Sequence, residues 1–554
     1  MKRVERYFIC LFAVILPVFL YGQDDDWVKS EGDLETVEID VVGSKEIILP
    51  SVARLFDPVP PQPIARAKGE LDYSFSNYAY EGAETSVVIR PRKIKAMSES
   101  KLYGNYVRAG YGNYNTPYLD AYLANKRQKE YSYGINLNYL NSFRGPVDGK
   151  NSGAGEFGAR AFGAMYGDKA TLLGSLEYRR DMLHYYGYAT GDSVAEEDIS
   201  QYYNRIKFLT EVRSADIKSD FQYSAKMGLR NMTDRYGAKE TDVFTDINTS
   251  LEVTEDVKVL TGGGVHFLTR KGEGLDVINR VLARGNVSGL YYKDRFTLQA
   301  GMEIAYFNDT LAGRGGVKIY PGGKVRYFIK NNFEAYASLG GGVKMASLMD
   351  ITEENPYLNT SAFVANTTVP MEFEAGLSGN VKNILGLGAG IHWSGMKNAH
   401  FYVNSLVDSA MFDIVYDTGT ISLLNPFVTI QFNQEERYRI GIRGDYYGYK
   451  MDYLETPWHK PEFKLTVNSK FNIGNKMVIG VESFVLGGIK ARDYDLKEIP
   501  LNTIIDLNLG LEYIVGPRFS AFINLNNILG NNYSLYNRYM VKGFQVLGGI
   551  AYRF

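Results

Sequence analysis

The chain has 554 residues, of which 45% are hydrophobic and 14% aromatic, and its formal net charge at pH 7 is -2. This near balance of charge gives no sign of a polyanionic partner, so nucleic acid is not expected as a ligand. A mean hydropathy of -0.22 with 43 tyrosines and 57 glycines describes a chain that is aromatic-rich but not apolar overall. That composition is typical of a membrane β-barrel, because each strand needs apolar side chains on only one face.

Residues 1–22 begin with three cations and continue with an apolar run that ends at Tyr21. A charged start, a short apolar run and a small residue are typical of a secretory signal peptide, so we predict cleavage near Gly22/Gln23. Cys10 is the single cysteine and lies inside this run, so the mature chain has no thiol for a disulfide or a metal site. No later stretch offers the roughly 18 apolar residues that a spanning helix requires, so membrane insertion must use strands.

Residues 23–100 contain a proline-rich run at 58–63, which resists both helix and central strand. We therefore predict an extended N-terminal arm in the periplasm or in the lumen of a barrel. The apolar segment at 87–91 would lead from this arm into the first barrel strand.

Residues 101–554 show a hydrophobic period of two in segment after segment, for example at 131–139, 297–306, 462–471 and 505–513. One face of such strands can meet lipid and the other water. About 10 residues per strand plus connections predict an all-β fold, a transmembrane antiparallel barrel of about 22 strands, with a range of roughly 20–24. A soluble two-sheet sandwich would alternate in the same way, but with shorter strands.

Turn residues divide this region into hairpins. Short links are predicted at 167–169, 293–294, 474–475 and 516–517, and such turns face the periplasm in bacterial barrels. Longer polar stretches are predicted as surface loops, the expected sites of partner contact: residues 143–153, 182–199, 345–366, 489–501 and 530–542.

Charged residues near the C-terminal half of the barrel are candidates for the lumen. The candidates share the polar face of their strands: Arg437, Arg439, Arg443, Asp445, Asp506 and Glu512. A charged stripe in a pore biases which solutes enter. The alternative is structural, with the arginines pairing across the lumen with Asp506, Glu512 or Glu462, or anchoring the N-terminal arm.

The last strand, from Phe544 to Phe554, alternates apolar and polar residues and ends on an aromatic residue. Gly549, Tyr552 and Phe554 are spaced as G-x-x-Tyr-x-Phe, which resembles the C-terminal signal that the barrel-assembly machinery of the bacterial outer membrane recognises. The alternative is an edge strand of a soluble sandwich. The resemblance implies an integral outer-membrane protein in contact with outer-membrane lipid.

The run from Leu509 to Phe554, which includes the letters LNNILGNNY, resembles the closing strands of TonB-dependent receptors. This resemblance implies a large outer-membrane barrel associated with uptake, in which complete members carry an N-terminal plug domain. The 78 residues of 23–100 are fewer than that plug needs, so we predict that a complete plug is absent.

A short segment at 35–42 resembles the stretch by which members of this family contact TonB, an extended peptide that can add to a sheet edge. Its alternating residues are Thr36, Val37, Ile39 and Val41. Any isolated strand shows the same pattern. TonB and a surface lipoprotein are therefore both candidate partners.

These observations predict a channel or uptake component that passes or binds solutes through a polar lumen, without covalent chemistry. The rival hypothesis is a non-transporting scaffold in a multi-protein outer-membrane assembly. A third hypothesis, a surface lipid hydrolase, would use His184 beside Asp181, but no serine nucleophile is evident nearby. No cofactor or metal is expected, since the five histidines show no i, i+4 pair and no cysteine accompanies them.

Overall fold

A computed structural model describes residues 104–554, apart from 127, 190, 191, 193, 217, 273, 310–314, 331, 436 and 494. Twenty-two barrel strands follow one another in chain order. The strands are β1 (Tyr106–Gly112), β2 (Thr116–Ala124), β3 (Tyr131–Ser142), β4 (Ala154–Tyr166), β5 (Ala170–His184), β6 (Ser200–Ser214), β7 (Phe221–Asp234), β8 (Lys239–Thr254), β9 (Val257–Gly272), β10 (Leu275–Lys293), β11 (Phe296–Phe307), β12 (Gly316–Lys330), β13 (Phe333–Lys344), β14 (Thr367–Val381), β15 (Leu385–Asn404), β16 (Phe412–Gln434), β17 (Tyr438–Tyr446), β18 (Phe463–Ile473), β19 (Met477–Gly487), β20 (Ile504–Ile514), β21 (Phe519–Asn526) and β22 (Gln545–Arg553).

Each strand pairs antiparallel with the next, and the first pairs with the last. The closing register joins Tyr106 to Arg553 and Gly112 to Leu547. A short segment, Gly448–Lys450, continues β17 along β16. Closure leaves the sheet without an open edge, which is the requirement for crossing a bilayer with strands. The prediction of an antiparallel barrel of about 22 strands is confirmed.

The outer face of the barrel exposes large apolar side chains along its strands. On β6, Ile206 and Phe208 face outward, whereas Arg205 and Lys207 face inward. Outward residues such as Val317 and Ile550 are more than 60% exposed. A monomer in water does not carry so large an apolar surface, and this wall is the lipid-facing band of a membrane barrel.

Aromatic side chains form a ring at one end of this band. Each lies on the lipid-facing surface beside a short turn or at the C-terminus: Tyr131, Tyr166, Phe221, Phe296, Phe333, Tyr438, Tyr513, Phe519 and Phe554. Aromatic rings prefer the interface between hydrocarbon and water. The ring therefore marks one membrane interface, at what we call the short-turn end.

The connections at the two ends of the barrel differ in length. Those at the short-turn end have two to six residues, whereas those at the long-loop end range from two to 22 residues. The four predicted short turns all lie at the short-turn end, where Gly474 and Asn475 have φ values of 60° and 55° and Asp294 has 52°. Such left-handed backbone is tolerated by Gly, Asn and Asp. The five predicted long loops all lie at the opposite, long-loop end. Further long loops at this end, among them 405–411 and 451–462, were not predicted from the sequence.

The long loops contain the remaining regular structure. This comprises a 3₁₀-helix (Gly149–Ser152), helices α1 (Glu196–Ile199) and α2 (Leu348–Glu354), and two small hairpins, Lys490–Arg492 with Glu498–Pro500 and Ser534–Tyr536 with Tyr539–Met540. In the part of the chain that the structure describes, no helix has the length and apolar character needed to cross a membrane. The predicted signal peptide (1–22) and arm (23–100) lie outside the described residues and stay predictions.

Candidate functional site

The long loops fold over and into the barrel mouth, where they form a structure that we call the lid. The lid consists of the described residues of 185–199 (without 190, 191 and 193) and of residues 345–366, 405–411, 451–462 and 527–544. Its interior is an aromatic and aliphatic core built with neighbouring strand ends. Tyr357 stacks on Tyr539 with ring centroids 3.5 Å apart, and Tyr186 lies 4.8 Å from Tyr539. Residues more than 170 positions apart thus share one core.

The phenol of Tyr539 is buried and donates a hydrogen bond to the backbone carbonyl of Ala410. Burial raises the pKa of Tyr539 well above its ordinary value, so this donor stays protonated. Tyr536 contacts Phe412 and the imidazole of His459 in the same core. The lid therefore has a buried core of interlocking side chains, as the interior of a soluble domain does.

Helix α2, which we call the lid helix, enters the lumen and is held at its first turn. The Ser347 hydroxyl accepts the Asp350 N–H at 3.0 Å, as an N-cap residue does. Glu240 on β8 accepts the N–H groups of Leu348 at 2.9 Å and Met349 at 3.1 Å. Because Glu240 is only 2% exposed, these bonds satisfy a buried carboxylate and two helix donors together.

The acidic side chains of the lid helix meet cations of the barrel wall. Asp350 pairs with Arg230 of β7 at 2.9 Å. Glu353 pairs with Lys207 at 3.2 Å and lies 3.7 Å from Arg205, both on β6. These strand residues are adjacent in the wall, since Lys207 lies directly opposite Arg230 in the register. The helix thus lies against a cationic patch.

Glu354 ends the lid helix and joins it to two other parts of the barrel. Its carboxylate pairs with Lys460 of the 451–462 loop and with His400 of β15 at 3.1 Å. Burial raises the pKa of Glu354, but the Lys460 ammonium and the His400 imidazole lower it by more. The net pKa lies well below the usual range, so Glu354 stays ionised at neutral pH.

The rest of loop 345–366 is held by two arginines from neighbouring strands. Arg270 of β9 donates to the carbonyls of Thr360 at 2.7 Å and Ala362 at 2.6 Å. Arg280 of β10 donates to the carbonyl of Ala346 at 2.5 Å. Both guanidinium groups are at least 95% buried, so the loop carbonyls replace their water.

His459 joins lid loop 451–462 to strand β15 and to lid loop 527–544. Its Nδ1 lies 2.8 Å from the Tyr402 carbonyl, and its Nε2 accepts the Asn537 N–H at 3.3 Å. This arrangement requires a neutral ring with the proton on Nδ1. Burial lowers the pKa of His459 to about 4.

Loop 451–462 is further held by Asp417, whose carboxylate accepts the N–H groups of 452, 453 and 454.

A cavity of about 1930 Å³ lies beneath the lid within the lumen. Its lining contains eleven lysines and arginines and seven aspartates and glutamates. One of these cations is Lys542 of the lid, and burial lowers its pKa to about 8. The wall of this cavity is polar with a net positive charge, which favours anionic solutes over cationic ones.

The predicted lumen charges lie elsewhere. Arg443 forms a two-point fork with Asp445, with both N–O distances at 2.9 Å. Asp506 accepts the Tyr533 hydroxyl at 2.6 Å, and Glu512 pairs with Arg553 at 2.8 Å. These contacts are structural pairings.

Arg439 lies on β17, as Arg443 does. Arg437 lies in the short turn that precedes β17, and its side chain is 71% exposed. None of the six predicted residues lines the cavity beneath the lid. The predicted stripe therefore extends over β17, β20 and a turn, and its effect on solute choice stays a prediction.

The C-terminal residues lie in the closing strand. Tyr552 faces outward and stacks with Phe554 and Phe519 in the aromatic ring. Gly549 faces inward, and a Cβ there would lie 2.1 Å from the Ala109 carbonyl oxygen. Strand closure thus requires glycine at this position. Recognition of these residues by the assembly machinery stays a prediction.

His184 contacts the Gly153 carbonyl at 2.7 Å through Nδ1, and its Nε2 lies 3.8 Å from Glu196. These contacts hold the imidazole of His184 between the Gly153 backbone and Glu196.

The four residues of the TonB-contact prediction (Thr36, Val37, Ile39 and Val41) lie outside the described residues. Within the described ranges, no group of three or more His, Cys, Asp or Glu side chains is arranged to hold a metal ion.

The sequence analysis missed the residues that hold the lid. Arg205, Arg230, Glu240, Arg270 and Arg280 all face inward near the long-loop ends of β6–β10. Their signal in the sequence is a charged residue on the polar face of a strand, within six residues of the strand's end at the long-loop side. That signal does not reveal the partner, because the contacts are made with a loop up to 150 residues away.

Comparison with solved structures identifies the fold. The chain matches no protein-family model and no curated protein sequence. The FrpB iron transporter from Neisseria meningitidis aligns with a TM-score of 0.65 and 12% identity over 81% of both chains. The ferric-catecholate import receptor Fiu from E. coli K12 gives 0.60 and 10% identity over 81% of this chain and 82% of that chain.

A third similar structure is FpvA from P. aeruginosa bound to heterologous pyoverdines. It aligns with a TM-score of 0.62 and 9% identity over 81% of this chain and 71% of that chain. At these identities the likeness concerns the fold. The protein thus has the 22-strand barrel fold of TonB-dependent iron and siderophore receptors.

Proposed function

We propose that the protein is an outer-membrane uptake receptor whose extracellular entrance is closed by the lid. The observation that carries this proposal is the packing across the barrel mouth. Four of the lid's loops bury apolar side chains in one core, and His459 of the fifth loop contacts Phe412 and Tyr536 of that core. In bacterial barrels, long loops face the outside and short turns the periplasm. A solute from outside must therefore pass the lid before it reaches the lumen.

The cavity beneath the lid supports binding as well as passage. Its volume of about 1930 Å³ exceeds the usual size of a small-molecule pocket, roughly 300–1,000 Å³. The excess of lysine and arginine in its lining favours an anionic solute. The related folds of FrpB, Fiu and FpvA belong to transporters and receptors, which supports uptake in general.

The N-terminal arm is proposed to close the lumen from the other side without forming a complete plug. Residues 23–100 contain fifteen aspartates and glutamates and nine lysines and arginines, whereas the cavity lining is net positive. Opposite net charge favours an arm that lies in the lumen. Contact with TonB through residues 35–42 would then pull on this arm.

Ion conductance of the purified mature protein in planar bilayers tests the proposal. We expect no steady current from the intact chain, because both the lid and the arm obstruct the lumen. Deleting residues 23–100 together with the Glu240→Ala substitution should produce steady current, and each change alone should produce less. A large steady current from the intact chain would identify an open porin. No current from the combined variant would favour a non-transporting scaffold.

A further inference from the structure

The lid helix places carboxylates on cations that line the lumen. We infer that the cationic patch formed by Arg205, Lys207 and Arg230 is the binding site for an anion with several phosphate or carboxylate groups. In this inference the lid helix occupies the patch when the anion is absent. It deepens the proposed uptake function, on which it rests, by naming the solute class and the event that releases the lid.

The geometry supports an occupied anion site. Arg230 contacts Asp350 at 2.9 Å, and Lys207 contacts Glu353 at 3.2 Å. Arg205 also donates to the hydroxyl of Thr352, which precedes Glu353 on the same helix, at 3.0 Å. A guanidinium group presents paired N–H donors that match two oxygen atoms of a carboxylate or a phosphate group. The helix carboxylates therefore make the same kind of ion pair with the patch that the oxyanion groups of such a solute would make.

The patch can be reached from the cavity while the lid is closed. Arg205, Lys207, Arg230, Asp350 and Glu353 all line the cavity beneath the lid. The side chain of Asp350 is 46% exposed and that of Lys207 is 28% exposed, whereas the side chain of Arg230 is 9% exposed. The side chain of Arg205 is only 2% exposed. An anion in the cavity therefore first approaches Lys207 and the helix carboxylates, and it reaches the two arginines as those carboxylates leave. It can replace the carboxylates one after the other.

Like charges meet in this part of the wall. Arg179 lies directly opposite Arg205, and Lys207 lies directly opposite Arg230 in the strand register. Like charges in directly opposed positions destabilise a sheet. Asp181 and Asp242 on the wall offset part of this charge, through ion pairs with Arg205 and Arg230. The helix carboxylates supply further negative charge, and a solute that replaces them must supply it instead.

The inference predicts a competition between the helix and the solute. Neutralising the helix removes the internal competitor and leaves the cations in place, so anion affinity should rise. A merely structural role of these ion pairs predicts the opposite, with weaker folding and no gain in affinity. The sign of the change therefore separates the two accounts.

The test uses the full mature chain in detergent, titrated calorimetrically with inorganic pyrophosphate and, separately, with citrate. For the Asp350→Asn/Glu353→Gln variant we expect about tenfold tighter binding of at least one probe than for the unchanged chain. Adding Lys207→Gln to this variant should reverse the gain. Asp495→Asn, which removes one exposed negative charge from another long loop, is the matched control and should leave the affinity unchanged.

Hydrogen exchange of residues 345–366 provides the second readout. Pyrophosphate or citrate should speed exchange there in the unchanged chain, because the anion displaces the helix. Stronger binding of pyrophosphate than of citrate would identify phosphate groups as the preferred chemistry, and the reverse would identify carboxylates. Unchanged affinity in the neutralised variant, or binding without faster exchange, would overturn the inference. Neither readout requires conductance, so failure here is distinct from failure of the uptake proposal.

Discussion

The barrel wall and the lid are built on different principles. The wall consists of strands that pair with their neighbours in the chain, and alternation sends apolar residues to lipid and polar residues to the lumen. The lid consists of loops that meet loops from distant parts of the chain around an aromatic core. Apart from the closing pair of β1 with β22, each wall strand pairs with its neighbour in the chain. In the lid, Tyr186 and Tyr539 are 353 positions apart. Strand pairing in the wall therefore involves no lid residue, whereas the lid core includes the wall residues Tyr203, Met232 and Tyr402.

Because of this difference, we expect the lid to open at a lower free energy than the wall unfolds. Local opening of loops requires less free energy than global unfolding, and the two can be measured independently. The largest predicted effects therefore concern anchors that join lid to wall, and smaller effects concern the wall itself.

The strongest expected effect is the loss of Glu240, the buried anchor of the lid helix. Glu240→Ala leaves two helix N–H groups without their carboxylate, which should cost the closed lid about 3–5 kcal/mol. Hydrogen exchange at residues 348 and 349 should speed accordingly, while circular dichroism still shows the folded barrel.

The matched control is Glu252→Ala at the other end of the same strand. Glu252 forms a partly exposed ion pair with Lys258 at 2.9 Å, worth about 1 kcal/mol or less. Equal hydrogen-exchange rates at residues 348 and 349 in the two variants would contradict the anchoring role of Glu240.

Acid should open the lid before it unfolds the wall. His459 has a pKa of about 4 in the folded lid and an ordinary value near 6.5 in the opened loop. Because the opened state binds the proton more readily, lid stability should fall as pH drops from 6.5 to 4, by up to about 3 kcal/mol. In the His459→Gln variant, the free energy of lid opening measured by hydrogen exchange should vary less with pH across this range. A dependence that stays unchanged in the variant would exclude His459 as its source.

Glu354 should add to this loss at lower pH. Its folded pKa lies below the ordinary value of 4.5, so its contribution is complete above 4.5 and disappears as pH falls towards the folded value. Glu354→Gln should remove this part of the pH dependence, as measured by the same exchange experiment. A variant that retains the full loss below pH 4.5 would show that other carboxylates are responsible.

A smaller effect is expected for the closing strand of the wall. Gly549→Ala places a methyl group 2.1 Å from the Ala109 carbonyl oxygen, which should cost about 1–3 kcal/mol. The neighbouring Gly548→Ala meets its nearest atom at 3.7 Å and should be neutral. The temperature at which the barrel unfolds during gel electrophoresis checks both variants. Equal temperatures would contradict the close packing at Gly549.

The contrast between wall and lid also explains what the sequence could predict. Alternation and turn residues act over a few positions, so strand number, turn positions and the five loop segments follow from local pattern. Arg437 shows the limit, since alternation extends past the start of β17 into a turn. Partners such as Arg205 and Glu353 lie 148 positions apart, and nothing in either local pattern specifies the other.

The most direct test of the account is whether the lid closes the lumen from outside in intact cells. The predicted mature chain contains no cysteine, so Ser224→Cys places a single thiol in the cavity beneath the lid. A membrane-impermeant maleimide should label this thiol slowly in the otherwise unchanged protein and about tenfold faster with Glu240→Ala. Asp495→Cys on an exposed loop should label quickly in both backgrounds. Equally fast labelling of Ser224→Cys with and without Glu240 would contradict a closed lid.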